Sequence, residues 1–258
     1  MASSHNARGR LDEEALERAA ALWRTSSFAI ALTGAGVSVA SGIPDFRSPK
    51  GLWARYDPMT VATAEALRKR PKQVWEFLLE TLRLVQKAKP NPGHYALAAM
   101  EEAGVLRAVI TQNIDALHQR AGSKNVVEYH GGTGRCHCMG CGRFHDPALA
   151  ASLTPDDLPW LCGECGGLIR PDIVFFGERI PLDALEKSGQ LALSADLILV
   201  AGTSGEVAPA CALPRQVKAS GGKVIEINPQ CAFEDAADVW IPAAAESALP
   251  RLAGMLLG

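Results

Sequence analysis

Apolar residues fall at helical spacing through residues 11–24 (LDEEALERAAALWR), where Ala, Leu and Glu also favour a helix. The pattern then tightens. Residues 28–33 (FAIALT) form an apolar run that predicts a buried strand, running straight into Gly34-Ala35-Gly36. Residues 41–55 are rich in Gly, Pro and Ser and predict a loop. Helical patterns return at 62–69, at 71–87 with Pro71 in first position, and from Asn91-Pro92-Gly93 through Glu102. Strands are predicted at 106–111 and 126–129. Residues 133–170 are cysteine-rich and turn-rich, without a clear period. Beyond them, strands at 173–176, 197–200 and 224–227 alternate with helices at 182–193, 209–219 and 246–257. Alternating strands and helices require crossover connections, so the pattern predicts an α/β fold with a mainly parallel sheet and a cysteine-rich insertion.

Composition narrows the function classes. With 258 residues, 48% hydrophobic and 21% charged, the chain is globular along most of its length. Lys+Arg 26 against Asp+Glu 28 gives a net charge of −2, which provides no basic field for nucleic acid and no polybasic run for an anionic membrane. The apolar runs are strand-sized, well short of the ~20 residues that span a bilayer. Residues 1–10 are polar and lack the apolar core of a secretion signal. The expectation is a cytoplasmic protein with no nucleic-acid or membrane partner.

Three predicted strand ends carry small or polar residues: Thr33-Gly34-Ala35-Gly36-Val37-Ser38, Gly202-Thr203-Ser204-Gly205, and Asn228. Glycines let a backbone approach a pyrophosphate closely, and the start of a following helix offers free N–H donors. Each end alone reads more readily as a turn. Together, at the carboxyl ends of parallel strands, they point to a nucleotide crevice. The fit to a hydride-transfer fingerprint is poor, because Val39 stands where the third glycine belongs and no acidic residue closes a strand ~20 residues on.

Seven cysteines cannot all pair internally, and five of them fall within thirty positions. Cys138-x2-Cys141 and Cys162-x2-Cys165 are two knuckles that together supply four thiolates to one tetrahedral centre, a closed and therefore structural zinc site. A redox pair is the competing reading. Cys136 could replace Cys138, and His137 and His145 are alternative ligands.

The run from Gly34 to Ser48 (GAGVSVASGIPDFRS) resembles the first signature of the sirtuins, the NAD-dependent protein deacylases. Thr111-Gln112-Asn113-Ile114-Asp115-x-Leu117-His118 resembles the second. His130-Gly131-Gly132 is similar to the catalytic-histidine motif, although many members have a polar residue where Gly132 stands. Arg170-Pro171-x-Ile173 through Glu178, Gly202-Thr203-Ser204 and Ile227-Asn228 complete the set in order. The resemblance covers about residues 15–255 and is to the short prokaryotic-type form. It implies a Rossmann-like parallel-sheet domain (residues 1–48, 93–132 and 171–258) with a smaller domain. The smaller domain would combine a helical module (49–92) and a zinc-ribbon module (133–170), holding one structural Zn²⁺.

The resemblance further implies that the acyl-lysine carbonyl oxygen attacks C1′ of the nicotinamide ribose, that an O-alkylamidate forms as nicotinamide leaves, and that the acyl group ends on ADP-ribose. It makes His130 and Asn113 the catalytic residues, His130 as the base. His5 lies in the N-terminal tail, and His94 and His118 lie on predicted helices, where packing or solvation is expected. NAD, as co-substrate, would be held by Gly34, Ala35, Gly36, Asp45, Phe46, Arg47, Gln112, Asn113, Ile114, Asp115, Gly202, Thr203, Ser204 and Asn228. Within that set, Phe46 would shield the sugar from water, Arg47 would anchor a phosphate and Asp115 would receive the carboxamide of nicotinamide. Without the family, Asn113 to Asp115 reads as a helix N-cap. Acyl-lysine proteins or peptides would add as a strand between Val174-Phe175-Phe176-Gly177-Glu178 and Gly205-Glu206-Val207. Matching Val74-Trp75-Glu76-Phe77 to family members that read an acyl carboxylate puts Leu78 and Thr81 at the recognising positions, so a neutral acyl group is expected; a register off by one turn would instead bring Arg83 near. A monomer is expected. The competing activities are an NAD hydrolase or ADP-ribosyltransferase using the same pocket, and a non-catalytic zinc-ribbon module that senses NAD.

Overall fold

A computed structural model describes residues 11–258. In chain order, helix α1 (Glu13–Arg24) leads into strand β1 (Ala29–Thr33), and helices α2 (Pro58–Val61), α3 (Ala64–Lys69), α4 (Pro71–Lys87) and α5 (Pro92–Glu102) follow. Strand β2 (Ala108–Thr111), helix α6 (Leu117–Ala121) and strand β3 (Val126–Glu128) come next. The cysteine-rich part holds β4 (Gly131–Cys138), β5 (Phe144–His145), α7 (Ala148–Ser152) and β6 (Ile169–Ile173). The chain ends with α8 (Leu182–Ser194), β7 (Leu197–Ala201), α9 (Leu213–Ala219), β8 (Lys223–Ile227), β9 (Val239–Ile241) and α10 (Ala245–Leu257).

Six strands form a parallel sheet in the order β3-β2-β1-β7-β8-β9. The strands are apolar throughout because both faces are covered. Ala29, Ala31, Leu197 and Leu199 pack against α1, α5 and α10, whereas Ile30, Leu32, Ile198 and Val200 pack against α8 and α9. The chain leaves β1 toward β2 on one side and returns at β7 on the other, so the strand order reverses between β1 and β7. A crevice opens at such a reversal, at the carboxyl ends of the strands.

The second sheet is antiparallel, β5-β4-β6. It shares a core with α3 and α4: Leu67, Trp75, Leu78 and Leu79 pack with Ala150, Leu158 and Phe175. The Trp75 indole N–H donates to the Ile169 carbonyl at 2.9 Å, and its ring meets Trp160 edge-on. The boundaries expected at 132 and 170 therefore fall inside β4 and at β6.

Several elements differ from expectation. Residues 173–176 are not a core strand: β6 ends at Ile173, and Phe176 N–H bonds the Ala62 carbonyl instead, tying this segment to the helical module. Strand β2 starts at 108 because the Val105 and Leu106 N–H groups close the end of α5 on the Met100 carbonyl. Residues 209–219 divide into a 3₁₀ turn, Ala210–Ala212, and α9. The three-residue β9, too short to show a period, was not predicted. Among the described residues, no helix is long and apolar enough to cross a membrane.

The switch point is closed by backbone on backbone. Gly34 N–H bonds the Ala201 carbonyl (3.1 Å), Gly36 N–H bonds the Gly202 carbonyl (2.8 Å), and Gly202 N–H reaches Ile227 (3.2 Å). A Cβ on Gly202, whose φ is +63°, would lie 2.4 Å from Val37 N. At Gly42, with φ +87°, a Cβ would meet nothing within 4 Å. Gly42→Ala should therefore cost only the left-handed backbone term, about 1–2 kcal/mol. Gly202→Ala should cost more than about 3 kcal/mol, because the clash is with backbone that has no room to yield. Denaturant unfolding of both variants checks this, and equal losses would contradict the interlock.

Candidate active site and metal centre

Strand ends β1, β2, β7 and β8 bring their polar residues to one crevice, where hydrogen bonds join them. Asn113 Nδ2 donates to the Gly34 carbonyl (3.0 Å) and to Ser38 Oγ (3.2 Å), and Ser38 Oγ donates to Asp115 at 2.6 Å. Asp115 also accepts the Leu117 N–H at 2.9 Å, closing a turn just before α6, whose N-cap is Ala116 and not one of Asn113 to Asp115 as the residues alone suggested. Gln112 Nε2 donates to Thr203 Oγ1 (3.0 Å), and Asn228 Nδ2 donates to the Thr203 carbonyl (3.0 Å). Asn113, Asp115 and Asn228 are buried, so these bonds fix their orientation. Next to them, Ala116 has φ +56°, the one positive φ at a non-glycine among the described residues. Backbone of this kind persists where surrounding structure holds it.

His130 follows β3. Its Nδ1 lies 3.1 Å from the Gln112 carbonyl, which only an Nδ1–H can satisfy, so Nε2 is left as a free lone pair. Burial lowers its pKa below the usual 6.5, with the Gln112 carbonyl pulling weakly the other way. The next residue, Gly131, has φ +70°, and its Cβ position would overlap the Asp172 carbonyl at 2.0 Å. The His130 carbonyl accepts the Val174 N–H at 2.9 Å, so the ring of His130 is held by the strand end at Gln112 and its backbone by the segment beginning at Val174. His94 and His118 behave differently. Their rings lie 4.9 Å apart in the core, and burial drops them to about 4 and about 3. They pack, as expected. His5 lies outside the described residues.

In the loop after β1, Asp45 caps its own turn by accepting the Ser48 N–H at 2.8 Å. Phe46 stacks on Trp53 (centroids 5.0 Å apart) within an apolar group that includes Leu52, Val61 and Phe77. Arg47 is exposed yet paired: it meets Glu206 at 2.7 Å, which joins this loop to Gly205-Glu206-Val207. The Ile114 carbonyl accepts Thr133 Oγ1 (3.0 Å), Ala35 is half-buried, and Ser204 is exposed.

The two backbone edges face different tasks. Val174, Phe175, Phe176 and Glu178 N–H groups bond His130, Glu178, Ala62 and Phe175 respectively. Within the described residues, the N–H groups of Gly177, Glu206 and Val207 have no partner. A nearly buried Arg170–Glu178 ion pair at 2.5 Å holds the turn, and Arg170 also donates to the Ile173 carbonyl. The positions matched to acyl recognition lie on α4. Leu78 is sealed in the core beside Leu67 and Trp75, and the Thr81 hydroxyl is bound to its own helix at the Phe77 carbonyl. Because α4 has apolar faces on both sides, it is Phe77 that turns toward Phe46, and Glu80 joins Tyr56 and Arg55. Arg83 donates to the Leu153 carbonyl, toward the cysteine-rich part.

Cys138, Cys141, Cys162 and Cys165 bring four Sγ atoms within 4.8 Å of one another. N–H groups of the two knuckles point at the sulfurs, Gly140 to Cys138 (3.3 Å) and Gly167 to Cys165 (3.4 Å). Backbone N–H groups, that of Cys141 first, hold the Cys138 thiol down, whereas Cys165, despite the Gly167 N–H, is pushed up by its hydrogen bonds with Cys138 and Cys141, as thiols packed this closely must share their protons. Four thiolates in this closeness fit tetrahedral zinc with no open position. Cys136 is not among them: it is buried with Ile169 and Trp160, and burial pushes it up to about 11. His137 pairs with Asp172, and His145 lies against Trp160.

Sequence reasoning passed over two residues that hold Asn228. The Glu226 carboxylate accepts its side-chain Nδ2–H at 2.7 Å, and Trp240 Nε1 donates to its backbone carbonyl at 2.9 Å. Glu226 shows in the sequence only as a polar break in the apolar run of β8.

A model of the Sir2 family matches residues 34–209. The chain is 46% identical over 232 residues to "NAD-dependent protein deacylase 2" of Pyrobaculum aerophilum, covering 90% of this chain and 92% of that one. It is 47% identical over 242 residues to "NAD-dependent protein deacylase" of Thermococcus kodakarensis, covering 92% and 94%. A solved structure described as "Structural Basis for the Mechanism and Regulation of Sir2 Enzymes" matches with a TM-score of 0.89 at 38% identity, covering 95% of this chain and 98% of that chain. A Sir2 homolog–NAD complex matches with a TM-score of 0.85 at 39% identity, covering 98% and 96%.

The metal centre makes a direct prediction. Cys138→Ser or Cys165→Ser should lose zinc by elemental analysis and melt at lower temperature, whereas Cys136→Ser should keep one zinc per chain. Zinc kept in Cys138→Ser and lost in Cys136→Ser would reverse the ligand assignment.

Proposed function

This chain belongs to the Sir2 family, and from that membership and the geometry of the crevice we infer that it is an NAD-dependent protein-lysine deacylase. It moves the acyl group from acyl-lysine to ADP-ribose and releases nicotinamide. The observation that carries the reading is His130 beside both the polar crevice and the peptide-facing segment, with Nδ1–H tied to Gln112 and Nε2 free. A module that only sensed NAD would need no base there. NAD, when bound, supplies the labile glycosidic bond and the ribose hydroxyl that receives the acyl group.

The remaining work falls to the chain. Gly34, Gly36 and Gly202 let the two loops that border the diphosphate path close on each other, because a side chain on any of them would strike the facing backbone. Asn113 and Gln112 hydrogen-bond ribose hydroxyls, and Asp115 accepts the carboxamide N–H of nicotinamide. His130 Nε2 takes the proton of a ribose hydroxyl, and the Gln112 carbonyl stabilises the imidazolium that results. Phe46, backed by Trp53, keeps water from the reacting sugar. The unpartnered N–H groups of Gly177, Glu206 and Val207 receive an extended peptide as an added strand. Near Phe46 the wall is aromatic, and the Arg55 guanidinium beside it is paired with Glu80, which favours neutral over dicarboxylic acyl groups.

Loss of the base should be specific. His130→Ala should lower deacylation of an acetyl-lysine peptide by about 10²-fold or more while ADP-ribose still binds. Since burial holds the wild-type imidazole below 6.5, the neutral base is present above that pKa. Wild-type kcat/KM should therefore fall only as pH drops through a value below 6.5. Full turnover in His130→Ala, or an acid limb above pH 7, would contradict the assignment.

A further inference from the structure

Glu226 lies in the middle of β8, where its neighbours Ile225 and Ile227 face one apolar core and Val224 the other. Its side chain is 0% exposed. A carboxylate so placed is strongly disfavoured unless its lone pairs are satisfied. Here four donors meet it. Oε1 accepts Asn228 Nδ2 at 2.7 Å and the Ala232 N–H at 2.6 Å; Oε2 accepts the Phe233 N–H at 3.1 Å and the Cys231 thiol at 3.1 Å. No lysine, arginine or histidine is among these partners. The carboxylate thus folds the loop after β8 back on itself and turns the Asn228 amide.

The remaining contacts of Asn228 agree on one orientation. Its second Nδ2 bond goes to the Thr203 carbonyl at 3.0 Å, while its backbone carbonyl accepts Trp240 Nε1 at 2.9 Å and so holds the main chain in place. With both amide hydrogens occupied inside the protein, Asn228 Oδ1 is the polar group left to face the crevice. Position matters as much as orientation. β8 is three strands from β2, which carries Gln112 and Asn113. At the usual strand spacing that puts Asn228 about 14 Å across the sheet from the residues assigned to the reacting sugar, at the far side of the crevice.

Resting on the deacylase reading above, we propose that Glu226 is a positioning residue that presents Asn228 Oδ1 as an acceptor for a hydroxyl of the distal, adenosine-side ribose of NAD. Glu226 touches neither cofactor nor peptide. Its influence on NAD runs through Asn228 alone, so it should govern NAD affinity and leave the chemical step at His130 alone.

The test compares two carboxylates at opposite ends of the same sheet. Asp196, before β7, similarly gathers the Ser27 N–H (2.8 Å) and the Phe28 N–H (3.1 Å), far from the crevice. Glu226→Gln preserves shape but turns an NH₂ group toward donors. It should raise KM for NAD and the dissociation constant for ADP-ribose by about tenfold or more, with kcat at saturating NAD within about threefold. Asp196→Asn, chosen to lower the melting temperature, should leave both constants within about twofold. If Glu226→Gln does not accumulate as folded protein, Glu226→Asp, one methylene short, should still raise the ADP-ribose constant about threefold. An ADP-ribose constant unchanged in a folded Glu226 variant, or raised equally by Asp196→Asn, would overturn the proposal. Wild-type protein that did not bind ADP-ribose would overturn the deacylase reading as well.

Discussion

The contact between Gly34-Ala35-Gly36 and Gly202 is what lets a crevice exist at the sheet's switch point. Two loops that leave neighbouring strands β1 and β7 must pass within hydrogen-bonding distance, and a side chain on any of the three glycines would collide with backbone. Their closeness fixes where the Thr203 carbonyl and hydroxyl stand. Those two groups in turn receive Asn228 and Gln112. Gln112 then sets the tautomer of His130. The chemistry is thus organised outward from a backbone contact rather than from a charged pair.

A second tier of polar groups keeps that arrangement in register. Ser38 lies between Asn113 and Asp115, and Glu226 lies behind Asn228, so buried donors and acceptors near the crevice are answered by one another. The peptide side is built differently. An Arg170–Glu178 pair and the Trp75–Ile169 bond connect the zinc-bearing sheet to the turn at Gly177. Side-chain contacts thus link the sheet that carries the four cysteines, the helical module and the turn at Gly177.

Much of this was legible in the chain because the signals carry their own geometry. Glycines at strand ends, paired Cys-x2-Cys knuckles and doubly buried strands such as 29–33 leave patterns that local physics explains. What was missed depends on closure in three dimensions. Residues 173–176 read as a strand from their apolar run, yet Phe176 gives its backbone to the helical module. Helix α4 has two apolar faces, so spacing alone could not say that Phe77 and not Leu78 turns toward Phe46. Cys136 and Cys138 share a face of β4, and only the fold selects which sulfur joins the other three. Glu226 finds its partners five to seven residues later, through a loop with no periodic signature.

The central claim is that the crevice couples cleavage of NAD to removal of an acyl group from lysine. Mass spectrometry of products from an acetyl-lysine peptide, NAD and the zinc-loaded protein tests it most directly. The account predicts nicotinamide, deacetylated peptide and acetyl-ADP-ribose in equal amounts, with no nicotinamide released when the peptide is omitted. Free ADP-ribose formed at the same rate without peptide would contradict it.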